Sequence, residues 1–299
     1  MSSFDDLFRQ ENEQSSSRND QSFDKEAWKQ QKQEQRETVY AMIDDTALTV
    51  AQDGVIFQKY LDVQSRFDRY SVANALLILA QKPDATRIAD FDTWKEQGAY
   101  IRKKESGFYI LEPDEEYERD DGSVGISYNP KKMFDISQTG NSRKRETPTY
   151  PDDRIRIKAL MNHSPVPIRI SDSLQEGTNA LYHPKAREIQ IRKGMDASNI
   201  FSALSQERVH AEMDKGDGSY NRAAYAFHAY CVSYMLCKQY GVDTNGYHFD
   251  RAPQVLRAMD TQEIRAELSV IREAAGEISG RMNRMLAQQR QQQLQESER

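Results

Sequence analysis

The stretch from Glu188 to Gly241 constrains the fold more than any other part of this sequence. Glu188–Arg192 (EIQIR) alternates apolar and polar residues, the period of a half-buried strand. Asn199–Met213 follows with Phe201, Leu204, Val209 and Met213 at helical spacing. A polar turn at 214–219 leads into a longer apolar run, Tyr220–Tyr240, that stops at Gly241. Glycine takes the left-handed cap conformation without a Cβ penalty, so the second helix is expected to end there. A strand feeding two helices that must bury their apolar faces together leads to an α+β fold.

The rest of the chain fits around that unit. Asp153–Met161 reads as a helix, Val166–Ile170 as a strand, and Ala180–Pro184 with Glu188–Arg192 as a hairpin turning near Pro184-Lys185. Further upstream, three helical runs cover Val39–Ala51, Val55–Ser65 and Ser71–Gln81, the last with a serine suited to N-capping and a stop before Lys82-Pro83. Short strands follow at 100–101, 107–111 and 125–128, between charged turns. The polar, turn-rich stretch 139–150 reads as a connection. The expected organisation is a segment 1–36 that is disordered or a fraying helix, a first domain 37–140, a linker 141–152, a second domain 153–286 and a Gln-rich tail or solvated helix end 287–299.

The last helix opens with Asp260 and Glu263 at capping-box spacing. Ile264, Leu268, Ile271, Ala275, Ile278, Met282 and Met285 then form a narrow apolar stripe. The stripe is expected to pack on its own domain. A homodimer coiled coil through residues 264–285 is the alternative, weakened by Gly276 and Gly280 in the helix interior.

Composition limits the function classes. With 41 Lys and Arg against 47 Asp and Glu the net charge is −6, which excludes a wholesale basic nucleic-acid binder and is too modest for a polyanionic DNA mimic. The two cysteines, Cys231 and Cys237, cannot build a disulfide scaffold or a cysteine zinc knuckle. No apolar run approaches the ~18 residues a membrane helix needs. The N-terminus lacks a signal-peptide core, so a soluble protein of the cytoplasm, with no membrane partner, is expected.

Ser205-Gln206-Glu207-Arg208-Val209-His210 is the segment closest to catalytic chemistry. The H-E-x-x-H pattern puts two imidazoles on one helix face around a zinc ion, with the Glu as general base. Glu207 and His210 stand where the pattern wants them, but Gln206 replaces the first His, and a neutral amide oxygen is a poor zinc ligand. The strand, helix, turn and second helix around it resemble the zincin arrangement. Its second helix normally supplies an acidic third ligand, yet no acidic residue lies between Asp217 and Asp243, and His228 is the substitute this sequence offers. A metal site of Gln206, His210 and His228 with Glu207 as the catalytic base is therefore one reading, and zinc its cofactor. An ordinary polar helix face and a satisfied histidine form the other.

The first domain carries a different signature. Tyr60–Phe67 leads into Arg69-Tyr70-Ser71-Val72-Ala73-Asn74, then Gln81, Pro83, Phe91 and Trp94, a basic turn Arg102-Lys103-Lys104 before Gly107, and Phe134–Thr139 (FDISQT). From about Thr38 to Thr139 this order resembles the N-terminal single-stranded-DNA-binding domain of ArdC-type antirestriction proteins and of the LtrC-like proteins of conjugative elements. The resemblance implies single-stranded DNA as partner, a mobile-element setting, and a following zincin-type metallopeptidase-like domain, here with Gln206 at the first ligand position. The expectation leans away from an active enzyme.

Single-strand binding needs aromatics on which bases stack and cations that follow phosphates. Tyr70, Trp94, Tyr100, Phe108 and Tyr109 are the stacking candidates. Arg66, Arg69, Arg102, Lys103, Lys104, Lys131 and Lys132 are the phosphate candidates, with Asn74 as a polar reader. The competing reading makes Trp94 and Phe108 core residues and Lys103-Lys104 a solvated turn. Two other functions remain open: an active metallopeptidase coupled to a DNA-binding domain, and an acidic interaction protein that inhibits a host nuclease.

Overall fold

The computed structural model describes residues 25–118, 124–141 and 150–297 and has an α+β fold. The chain divides into two compact units, residues 1–38 and 39–299. Helix α1 (Lys25–Gln52) runs through both. In the first unit it is solvated and carries i,i+4 side-chain bonds, Gln30 to Glu34 and Gln33 to Glu37, each 3.0 Å. The helix thus begins inside the segment read as disordered or as a fraying helix. Gln, Glu and Lys are good helix formers, and such pairs support a helix without a core. The rest of that segment, 1–24, lies outside the described residues, as does most of the expected linker, 142–149.

In the second unit α1 buries Val39, Ile43, Ala47 and Val50. Asp53 caps α2 (Gly54–Arg66) and Ser71 caps α3 (Val72–Gln81). Then come β1 (Ile88–Ala89), α4 (Phe91–Glu96), β2 (Tyr100–Ile101), β3 (Phe108–Glu118), β4 (Val124–Asp135), a 3₁₀ turn and β5 (Thr139–Gly140). β3 and β4 form an antiparallel hairpin from Phe108–Met133 out to Glu118–Val124, longer than the expected short strands. Charge at Glu112 and Asp114 is no bar to a strand with one solvated face. The sheet order is β1-β4-β3, which leaves one edge of β3 unpaired by strands.

Helix α3 covers that edge with side chains. Asn74 accepts from the Leu111 N–H at 2.7 Å and donates to the Leu111 carbonyl at 2.8 Å. Two turns along the same face, Gln81 does the same to Tyr109 at 2.9 and 2.8 Å. Two amide side chains thereby stand in for a neighbouring strand and satisfy backbone groups that would otherwise be buried and unpaired.

The remaining elements are α5 (Asp153–Met161), β6 (Ile168–Ser171), β7 (Ala180–His183), β8 (Glu188–Arg192), α6 (Ala197–Met213), α7 (Arg222–Tyr240), α8 (Ala252–Leu256) and α9 (Thr261–Ser297). In the sheet β6-β8-β7, β6 runs parallel and β7 antiparallel to β8. Gly241 ends α7 at φ 68°, the left-handed cap read from the sequence. The fully buried Arg208 of α6 donates to the carbonyls of Leu160, Asn162 and His163, fastening the end of α5 to α6.

The capping box of α9 is formed: Glu263 N–H donates to Asp260 and Asp260 N–H to Glu263, at 2.8 and 2.9 Å. Its stripe, Ile264, Leu268, Ile271, Ala275, Ile278 and Met282, is buried by α7, α5 and α3 of the same chain, with Leu286 rather than Met285 as the last core position. The apolar face that a coiled-coil dimer would use is therefore occupied within the chain. The two halves of the second unit also share one core. Phe57 of α2 lies 5.5 Å from the rings of both Phe227 and Phe249, and Tyr234 of α7 donates to Asp62 of α2 at 2.7 Å.

Candidate functional site

Two regions bear on function. The first is built on the Phe134–Thr139 segment. The Asp135 carboxylate accepts the backbone N–H groups of Thr86, Arg87 and Ser137 at 2.7, 3.0 and 2.8 Å. Burial pushes its pKa up, but the bonds from Ser137, Arg87 and Thr86 outweigh burial and hold it below the usual carboxylate value. Gln138 accepts from the Asp135 N–H and donates to the Ser106 carbonyl. This knot anchors the basic turn: the Arg102 N–H bonds the Gln138 carbonyl at 3.0 Å, and its guanidinium donates to the Ser137 carbonyl and to Glu105. Lys104 holds φ 70° at the bend. Arg102, Lys103 and Lys104 are exposed, and among the described residues neither lysine has an ion-pair partner.

Tyr100 stands at the start of this edge with 60% of its surface exposed. Its ring lies against Gly140 of the partner strand β5, where any Cβ would collide with it. An exposed aromatic ring thus stands on the strand that leads into the three cations of the turn.

The other candidates are placed differently. Trp94 is 1% exposed, donates its indole N–H to the Phe134 carbonyl at 2.9 Å and packs with Ala99 and Phe134. Phe108 and Tyr109 are buried. Trp94 is the buried residue of the short helix α4, and Phe108 and Tyr109 open a run of four buried residues, 108–111, in which β3 is covered on both faces. Asn74 faces β3, as described. Arg66 donates to the carbonyls of Ala85 and Pro83 and so braces the turn after α3. Tyr70 is half-buried, its ring edge-on to Phe67 and its carbonyl bonded by Arg272 at 2.7 Å. Arg69 is exposed. Lys131 is held between Asp90 and Glu112 at 2.7 and 2.8 Å, which raises its pKa and offsets its charge. The cations are therefore not gathered into one broad basic face.

The second region is the α6–α7 pair. Glu207 is 4% exposed. Arg222, the first residue of α7, grips it bidentately at 2.5 and 2.8 Å, and the Tyr182 N–H of β7 donates to it at 2.7 Å. His210, also buried, has its Nδ1 3.0 Å from the Tyr220 hydroxyl. Burial, then the positive charge of Arg222, lower its pKa to about 4 against the opposing pull of Glu207, so the imidazole is neutral at pH 7. Gln206 is half-buried beside Tyr247. His228 pairs through Nε2 with Glu267 of α9 at 2.5 Å. A chain of ring contacts runs from His228 through Tyr225 and Tyr220, which stack on each other at 6.0 Å, to His210.

This donor set does not fit a metal ion. Both Glu207 oxygens are taken by Arg222 and the Tyr182 N–H, and the His228 Nε2 by Glu267, which leaves only its buried Nδ1 without a partner. Among the described residues, no three His, Cys, Asp or Glu side chains are grouped to hold one. Sequence reasoning missed Arg222, Tyr220 and Tyr182. The available signal was Arg222 itself, a cation at a helix N-terminus with no acid in its own helix, which requires a carboxylate from elsewhere.

Comparison with known proteins bears on the first region. Residues 30–154 match the model of the N-terminal domain of the anti-restriction factor ArdC. This chain carries an ArdC-type N-terminal domain. The Mn(II)-bound crystal structure of the antirestriction ArdC protein from the R388 plasmid matches with a TM-score of 0.50 at 17% identity, over 75% of this chain and 97% of that one. The metal-free structure of the same protein gives 0.48 at 20% identity, over 72% and 86%. No curated protein matches. The ArdC-type domain contains the Asp135 knot, the basic turn and Tyr100. The E-x-x-H helix lies beyond its matched residues. Among the described residues no helix is long and apolar enough to cross a membrane.

Proposed function

We propose that this protein binds single-stranded DNA through its ArdC-type domain, at the edge formed by Tyr100 and Arg102–Lys104, and serves a mobile element in antirestriction. The C-terminal half is then a zincin-like module without peptidase activity. The observation that carries the proposal is the exposed Tyr100 ring seated on Gly140 beside the basic turn. Bases stack on such a ring whatever their identity, while the turn meets phosphates. The antirestriction setting is taken from the family whose N-terminal domain the chain carries and from the R388 plasmid protein whose fold it shares. A modest affinity is expected, because Lys131 is already paired and Arg102 shares its charge with Glu105.

Fluorescence anisotropy with a labelled oligothymidylate tests the reading. Tyr100→Ala should weaken binding by about 1–3 kcal/mol, the usual worth of one base–aromatic stack. Its melting temperature should barely change, since most of that ring is solvated. Wild-type protein that binds duplex as tightly as single strands, or a Tyr100→Ala variant with full affinity, would remove this edge from the site.

A further inference from the structure

We infer that the guanidinium of Arg222 is the resident cation of the α6–α7 pair, filling the position beside Glu207 and His210 that a divalent ion would need. The helix pair carries its counter-charge covalently and excludes metal. This goes beyond the loss of a ligand at Gln206: it identifies what took the ion's place.

Three features support it. Both Glu207 oxygens are consumed by fixed donors, two from Arg222 and one from the β7 backbone at Tyr182. A planar fork matched to a carboxylate is hard to displace, because an incoming ion must break two charge-assisted bonds and leave a guanidinium stranded. Next, one short segment delivers everything. Tyr220 takes His210 Nδ1, Asn221 caps α7 through the Ala223 N–H at 3.0 Å, and Arg222 takes Glu207. A single turn thereby meets the Glu207 carboxylate and the Nδ1 of His210. Finally, the charges close: one carboxylate and one guanidinium leave no net negative charge to attract a divalent cation. β7 is an edge strand, and Glu207 occupies its outward N–H at Tyr182. The carboxylate therefore joins strand, helix and arginine as a structural joint rather than standing free as a base.

The test uses full-length protein, with MnCl2 and ZnCl2 as probes in separate calorimetric titrations and thermal melts. Wild-type, E207Q, H210A, R222Q and E207Q/R222Q are compared, each checked for folding by circular dichroism. Wild-type should show no metal-dependent rise in melting temperature that E207Q or H210A removes. R222Q should gain such a rise, and E207Q/R222Q should lose it again. Stoichiometric binding by wild-type that is abolished in E207Q or H210A overturns the inference. So does a folded R222Q that gains nothing. If R222Q does not fold, the double variant decides: E207Q/R222Q more stable than either single variant supports a charge pair acting as a unit, and additive losses refute it.

Discussion

Replacing Asn74 by Ala separates a structural amide from a DNA-reading one. The side chain is 7% exposed and spends one donor and one acceptor on the Leu111 backbone. Truncation leaves that N–H and that carbonyl buried without partners, at about 1–3 kcal/mol each. A water can enter the space left by the amide and recover part of the loss, so the net cost is set at about 3 kcal/mol. Against a total stability of ~5–15 kcal/mol this is a large fraction and should be plain in the midpoint of a urea transition. Asn74→Asp sharpens the test. The carboxylate still accepts from the Leu111 N–H but now opposes its carbonyl, so this variant should be less stable than wild-type at neutral pH and recover on acidification, when protonation restores a donor. DNA affinity, measured well below the midpoint, should remain near wild-type in both variants. Unchanged stability in Asn74→Ala together with lost DNA binding would refute the reasoning and make Asn74 a base reader.

Replacing Lys103 and Lys104 together by Ala should lower the slope of log affinity against log salt by roughly 1.4, about 0.7 per phosphate contact on a single strand. An identical slope across a salt series would place both lysines outside the interface. Asp135 gives a pH prediction. Its folded pKa lies below its ordinary 3.8, so its stabilising contribution is complete above that value and is lost as pH falls through the depressed folded value. Urea midpoints followed downward from about pH 4 should fall more steeply for wild-type than for Asp135→Asn, which has no proton to take up; parallel curves would contradict it.

Much of the fold was legible because local rules and packing agree in this chain. The caps at Ser71 and Asp260, the left-handed Gly241, the β7–β8 hairpin and the α9 stripe each came from a signal with one physical meaning. The length of the β3–β4 hairpin was not legible, because a strand with one solvated face tolerates charge and its acidic run imitates a loop. The start of α1 stayed open between disorder and a fraying helix for a related reason: a solvated helix held by i,i+4 pairs has no apolar period to detect.

The sites divide along the same line. Residue type suggests chemistry, whereas burial and partners decide it, and these arise from long-range contacts. Asn74, Trp94 and Arg66 have the side chains of a nucleic-acid surface, yet each bonds backbone groups of its own chain, 37, 40 and 19 residues away in sequence. Tyr100 and Lys103-Lys104 are exposed: Tyr100 lies in a two-stranded ladder with its ring over Gly140, and the lysines lie in a turn bent at Lys104. On the E-x-x-H helix the decisive partner lies 15 residues downstream, at a helix start where the macrodipole disfavours a cation. Arg222 finds its carboxylate on a neighbouring element, the buried Glu207. The absence of acid between Asp217 and Asp243 thus points two ways. It removes a metal ligand from α7, and it leaves Arg222 without a carboxylate in its own helix.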